Sequence, residues 1–215
     1  TQGDIDYQAG VGPASVNATM SGFPTRAIWF STERISYWLM AKPQFKTVES
    51  LKGKKVAVTG LGGTVHVALN MALEKVGANP KDFVLVSIAG QQIQQLISLE
   101  SGYVDAAVLS PPVTLGAVKK GFNKVLDVGA LVEMPGGGLT TLAKTIQERP
   151  VDTKWVIRSL QMAKEEVRKS KPRSLDLIVK LLKMDREAAS ETYDQFLTTL
   201  SPSGVPTRVG MDILV

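Results

Sequence analysis

Gly60-Leu61-Gly62-Gly63-Thr64 stands between a β-branched run, Val56-Ala-Val-Thr59, and a helical pattern from Val65 to Val76. A glycine turn feeding a helix start points backbone N–H groups outward, and the helix dipole favours negative charge there. Glycines let a ligand approach the backbone and Thr64 adds a hydroxyl, so Gly62, Gly63 and Thr64 are candidate anion contacts. No Gly-Lys-Ser/Thr follows and no full GxGxxG is present, so the turn is neither a P-loop nor a dinucleotide fingerprint. A plain tight turn with Thr64 as N-cap would use the same residues. His66, the one histidine of the chain, lies in the first turn of that helix. With Asn70 and Glu74 it forms an i, i+4, i+8 stripe, which faces either solvent or a ligand at the turn.

Ser110-Pro111-Pro112 closes another strand-like run, Val104–Leu109, at the place where ligand crevices of α/β sheets form. Its prolines lack N–H groups, so the turn offers shape at Pro111 and a hydroxyl at Ser110. The alternative is a rigid strand-to-helix turn. The same pattern occurs earlier in the chain: Gly3, Asp6 and Pro13 match Gly102, Asp105 and Pro112 at one constant offset, and Ile5 stands against Val104. One unit is used twice, with a glycine stop, a strand and a proline-opened helix. Gly12 and Ser15 are thereby the counterparts of the Ser110 turn and candidate contacts on the same terms. Asp6 and Asp105, just after a glycine stop, are expected to bond nearby backbone. Strand alternation puts Tyr37 and Trp38 on opposite faces, so at most one of them faces a ligand.

Composition excludes several chemistries. With Cys 0 and His 1 the chain has no disulfide, no thiolate and no site needing two imidazoles. No nucleophile partner for His66 is visible, so no catalytic residue is assigned, and no metal or cofactor is expected. The net charge of +5 is spread; the densest stretch, Ala163–Arg173, carries two glutamates and reads as a solvated helix face, not a nucleic-acid stripe. No apolar run is long enough to span a bilayer.

The elements that position these residues alternate. After Val56–Thr59 and its helix come a strand at Val84–Ile88, a helix at Gln91–Glu100, the Val104–Leu109 strand and a helix opened by Pro111 and Pro112 that reaches Lys120. Strands alternating with helices of this length predict an α/β fold with a parallel sheet covered on both faces. Beyond Pro150 the pattern turns helical, over Asp152–Ser170, Ser174–Lys183 and Asp185–Leu200, with Asp185 as an N-cap. The second copy of the repeat has its first strand well ahead of Gly102, so the first copy should open before Thr1. The chain is therefore expected to start inside its first lobe.

The segments GDIDY, YWLMAKPQFKTVESLKGKKVAV and LESGYVDAAVLSPP followed by GFNKVLDVG resemble the extracytoplasmic solute-binding proteins of ABC importers. The resemblance is to the branch of nitrate, sulfonate, taurine and thiamine-precursor (NMT1/THI5-like) binders. It implies a type II periplasmic binding protein fold, with two parallel-sheet lobes, a two-segment hinge and a ligand in the cleft between lobes. Residues 1–43 and 134–215 would form lobe 1, incomplete at its start, and 44–133 lobe 2. Arg26–Thr32 and Tyr37–Met40 read as strands approaching the first crossing. Gly136-Gly137-Gly138 at the second crossing suits a hinge or a close approach to ligand. The implied function is delivery of a small polar or anionic solute to an ABC permease outside the cytoplasm, by a protein that is monomeric when full length. The same fold also serves a regulator and an enzyme. A LysR-type effector domain would need a DNA-binding head ahead of Gly3, and a fungal-type pyrimidine synthase would need the cysteines this chain lacks.

Overall fold

The computed structural model describes residues 5–213, so Gly3 of the repeat lies outside the described residues. Its strands are β1 (Tyr7–Ala9), β2 (Thr25–Phe30), β3 (Trp38–Ala41), β4 (Lys55–Val58), β5 (Val84–Ser87), β6 (Ala106–Leu109), β7 (Asn123–Asp127) and β8 (Gly138–Leu142). Its helices are α1 (Pro13–Met20), α2 (Thr64–Lys75), α3 (Gln92–Glu100), α4 (Val113–Lys119), α5 (Val128–Leu131), α6 (Ala143–Glu148), α7 (Pro150–Lys169), α8 (Lys171–Leu182), α9 (Arg186–Leu197) and α10 (Arg208–Asp212). One compact unit runs to Ile35 and resumes at Met134; the other is Ser36–Glu133. The first crossing thus precedes the expected Pro43–Gln44 boundary, because β3 hydrogen-bonds within the sheet of the second unit.

That sheet has the order β5-β4-β6-β3-β7. β4 is parallel to β5 and β6, whereas β3 is antiparallel to β6 and β7. The expected all-parallel sheet is therefore mixed: β3 enters from the other unit and runs against its neighbours. α3 and α4 cover one face through Met40, Ala57, Leu96, Leu99, Ala107, Leu109 and Ala117. The alternate residues Leu39, Val56, Val58, Ala106 and Val108 are also buried, and the apolar stripe Val65, Ala68, Leu69, Ala72 and Leu73 of α2 is buried with them. Near-continuous apolar strands follow from burial on both faces. α2 ends as the sequence predicts: Gly77 takes φ 79, its N–H donates to Glu74 C=O, and Ala78 N–H reaches Leu73 C=O. This is a Schellman stop, which glycine satisfies without strain.

The other unit holds an antiparallel sheet of order β1-β8-β2, again in place of the expected parallel one, with α7, α8 and α9 packed around Leu175, Ala189 and Tyr193. The internal repeat is visible here. β8 sits between β1 and β2 as β3 sits between β6 and β7, and β1 and β6 each lead into a helix announced by proline. Among the described residues β1 has no strand on its outer edge, whereas β6 has β4 there. Asp185 caps α9, accepting from Ala188 N–H at 2.8 Å.

Gly136, Gly137 and Gly138 serve close packing within this unit. Thr32 Oγ1 accepts the N–H of Gly136 at 3.1 Å and of Gly137 at 2.9 Å. A Cβ on Gly138 would overlap the Trp29 carbonyl and stand 2.7 Å from Val11 Cγ1. The backbone freedom expected of three successive glycines is taken up by these contacts.

Candidate functional site

The C-terminal ends of parallel strands in an open α/β sheet leave a crevice lined by strand-to-helix turns. In the Ser36–Glu133 unit β4 leads through Gly60–Gly63 into α2, β5 through Gly90 and Gln91 into α3, and β6 through Ser110–Pro112 into α4. β3 runs the opposite way, so its first residue, Trp38, lies opposite Leu109, the last of β6. Tyr37 therefore borders the same edge. Gly62, Gly63, Thr64, His66, Ser110, Pro111 and Tyr37 are all brought to this edge by the fold.

The glycine turn differs in detail from its sequence reading. Gly63 is the N-cap and Thr64 the first helical residue, so Thr64 does not cap. Gly62 takes φ 78, a conformation glycine tolerates best. Its N–H donates to His66 Nδ1 at 2.8 Å, and Gly63 N–H donates to Gly60 C=O at 3.3 Å. The donors expected at Gly62 and Gly63 are thus engaged within the turn. The N–H groups of Thr64, Val65 and His66 have no acceptor among the described residues, and they stand at the positive end of the α2 dipole. His66 faces its own turn, with Asn70 at 3.1 Å from Nε2.

Pro111 and Pro112 precede α4 instead of opening it, with Pro112 as N-cap. Ser110 C=O accepts from Val113 and Thr114 N–H, while its own N–H and Oγ–H both donate to Gln92 Oε1, at 2.7 and 2.9 Å. Gln95, fully buried, accepts from Thr59 N–H at 3.2 Å and donates to Val108 C=O at 3.1 Å in the amide orientation that donor–acceptor pairing requires. Neither glutamine was singled out from sequence. The available signal was a glutamine run, Gln91-Gln92-Ile93-Gln94-Gln95, whose positions 92 and 95 share the i, i+3 face of buried Leu96 and Leu99.

Tyr37 and Trp38 divide as alternation requires. Trp38 packs against the Met40–Leu109 core with Lys124 Nζ 4.5 Å above its ring. Tyr37 is half-buried, burial pushes its phenol above the ordinary value, and its hydroxyl has no protein partner among the described residues. Asp105 is structural: it pairs with Lys42 Nζ at 2.9 Å and accepts from Lys55 N–H at 3.1 Å. Partial burial raises its pKa, and the hydrogen bonds from Lys42 and Lys55 with the charges of Lys42 and Lys54 outweigh that and hold it below the usual range.

Gly12 and Ser15 lie in the other unit. Gly12 is the N-cap of α1 and its carbonyl accepts from Ser15 and Val16. Ser15 Oγ leans toward Gly10 C=O at 3.4 Å and lines a small void with Val11, Ala27 and Phe30, so the hydroxyl turns under its helix. Asp6, the repeat partner of Asp105, pairs with Arg149 at 2.7 Å. A second polar centre of this unit, unread from sequence, is buried Lys164, which donates to Ser201 C=O at 2.6 Å and Pro202 C=O at 3.3 Å. Burial and the nearby Arg168 lower its pKa against the opposing pull of Glu165 and Glu33.

The family model described as NMT1/THI5 like matches residues 3–169. No curated protein matches the chain. Among solved structures, the periplasmic aliphatic sulphonate binding protein SsuA from Escherichia coli is similar with TM-score 0.79 at 19% identity, over 99% of this chain and 72% of that one. The alkanesulfonate-binding protein SsuA from Xanthomonas axonopodis pv. citri, bound to MOPS, gives TM-score 0.82 at 17% identity over 99% and 73%. A Candida albicans protein of the generic periplasmic binding protein fold gives TM-score 0.76 at 11% identity over 99% and 73%. At these identities the likeness establishes the fold. Among the described residues no helix is long and apolar enough to cross a membrane.

Proposed function

The chain belongs to the NMT1/THI5-like family, and from that premise we propose that it binds a small solute and delivers it to an ABC import permease outside the cytoplasm. The solute carries an anionic, oxygen-bearing head such as a sulfonate, nitrate or carboxylate. The observation that carries this reading is the start of α2, where the N–H groups of Thr64, Val65 and His66 have no acceptor among the described residues. Donors at a helix N-terminus favour an anion without needing a cationic side chain. The Tyr37 hydroxyl at the same sheet edge supplies a further polar contact. The SsuA neighbours, named as sulfonate binders, support import as the role and binding, not catalysis, as the activity.

A thermal-shift screen over ethanesulfonate, taurine, nitrate, carboxylates and neutral pyrimidines tests the proposal. A solute present at 100 times its Kd stabilises the fold by about 2.7 kcal/mol, a clear rise in Tm. The expected result is a rise with at least one anion. A rise only with neutral pyrimidines would move the anion reading off this turn, and no rise with any member would defeat the proposal.

A further inference from the structure

Gln92 opens α3 after β5, yet its side chain reaches across to the turn that follows β6. Its Oε1 accepts both the N–H and the Oγ–H of Ser110, at 2.7 and 2.9 Å. A backbone N–H can only donate, so the oxygen of the amide must face Ser110 and the orientation of Gln92 is fixed. Two consequences follow for the sheet edge. The one hydroxyl proton of Ser110 is spent on Gln92, so Ser110 has no donor left for a solute. The Gln92 Nε2, meanwhile, carries two N–H groups that no described residue accepts, and acceptance of two bonds by Oε1 polarises them further.

We propose that Gln92 is a specificity-determining residue of the solute site, and that its Nε2, not the Ser110 hydroxyl, is the donor this turn offers to an acceptor oxygen of the bound molecule. The inference rests on the solute-binding reading above. It assigns Ser110 the part of a positioning residue that locks the amide. Pro111 and Pro112 lack N–H groups, so the amide supplies the donors that the backbone of this turn does not.

Titration calorimetry with ethanesulfonate and with nitrate on the wild type, Gln92→Glu and Ser110→Ala tests this. A glutamate keeps an acceptor for both Ser110 bonds but replaces the donors with an anionic oxygen. Gln92→Glu is expected to melt like the wild type and to bind the anion at least roughly tenfold more weakly at pH 7. Lowering the pH through the ordinary glutamate value of about 4.3 should restore binding, because the protonated carboxyl donates again. His66 shares this edge, so the quantity read is the ratio of variant to wild type at each pH. Ser110→Ala removes one of the two bonds that lock the amide but keeps the backbone N–H clamp, so it should weaken binding less than Gln92→Glu does. Should Gln92→Glu misfold, Gln92→Ala gives the same comparison, with weakened binding and no recovery at low pH. Equal affinity in a folded Gln92 variant, or a loss confined to Ser110→Ala, overturns the assignment while leaving the function standing. A wild type that binds neither these probes nor any other anion of the screen defeats the function, and the assignment falls with it.

Discussion

The Gly62 N–H donates to His66 Nδ1 at 2.8 Å, four residues ahead of it in the chain. A ring nitrogen that accepts carries no proton of its own, so this hydrogen bond selects the tautomer with its N–H on Nε2. That Nε2–H then needs an acceptor; Asn70 Nδ2 stands 3.1 Å away, so this tautomer requires the Asn70 amide turned to present its oxygen. The opposite amide orientation leaves Asn70 Oδ1 buried without a partner. Nitrogen chemical shifts of His66 should therefore show the Nε2–H tautomer. His66→Phe, which keeps a flat ring but removes the acceptor, should cost about 1 kcal/mol in urea unfolding. An Nδ1–H tautomer would separate His66 from the turn.

Tyr37 makes a different test, because its ring is half-buried and its hydroxyl lacks a protein partner among the described residues. Tyr37→Phe should change stability by no more than about 0.5 kcal/mol while weakening binding of any anion found in the screen. The phenol favours its neutral form in the fold. Its stabilising effect is complete below the unfolded value of about 10 and is lost as pH rises beyond it. Ultraviolet titration should find a tyrosine ionising above that value in the wild type and missing in the variant. A stability loss of several kcal/mol would mean that the hydroxyl is structural.

Asp105 ties Lys42, just after β3, to the first residue of β4. Its pKa is held down in the fold, so the stabilisation is present above the unfolded value of about 3.9 and is lost as pH falls through the lower folded value. Asp105→Asn should lower stability at pH 7 by about 1–2 kcal/mol and flatten the acid limb of the stability curve below pH 4. An unchanged acid limb would show that other carboxylates set it.

Periodicity carried much of the fold. The apolar spacing at 65, 68, 69, 72 and 73 with Gly77 beyond it located α2, and Asp185 located the start of α9. Sheet direction was less legible: Trp38–Ala41 reads the same whether it runs with or against its neighbours, so the mixed sheet could not be seen. At the site, local order showed that the Gly60–Thr64 turn starts a helix, but not which N–H groups remain free, because those of Gly62 and Gly63 are taken by His66 and Gly60. Gln92 was invisible for a related reason. Its partner, Ser110, lies one strand and one helix further along the chain, and only the β5-β4-β6 order brings the two turns together.

Three glycines separate three reasons for being glycine, and alanine distinguishes them. Gly138 has no room: a Cβ would overlap the Trp29 carbonyl and stand 2.7 Å from Val11 Cγ1. Gly62 has room but takes φ 78, where an L side chain costs about 1–2 kcal/mol. Gly63 has neither constraint, since its φ is −80 and its added Cβ would meet only the Gly60 carbonyl, at 3.4 Å. Gly138→Ala should be the most damaging in urea unfolding, by about 3 kcal/mol or more through overpacking. Gly62→Ala should follow at about 1–2 kcal/mol, and Gly63→Ala should fall within about 0.5 kcal/mol of the wild type. Gly63→Ala keeps its N–H and leaves the three donors of α2 in place, so it should also retain anion binding. If Gly63→Ala abolishes binding while folding normally, the solute approaches the backbone at Gly63 more closely than a methyl group allows, and the contact moves from the start of α2 to the turn itself.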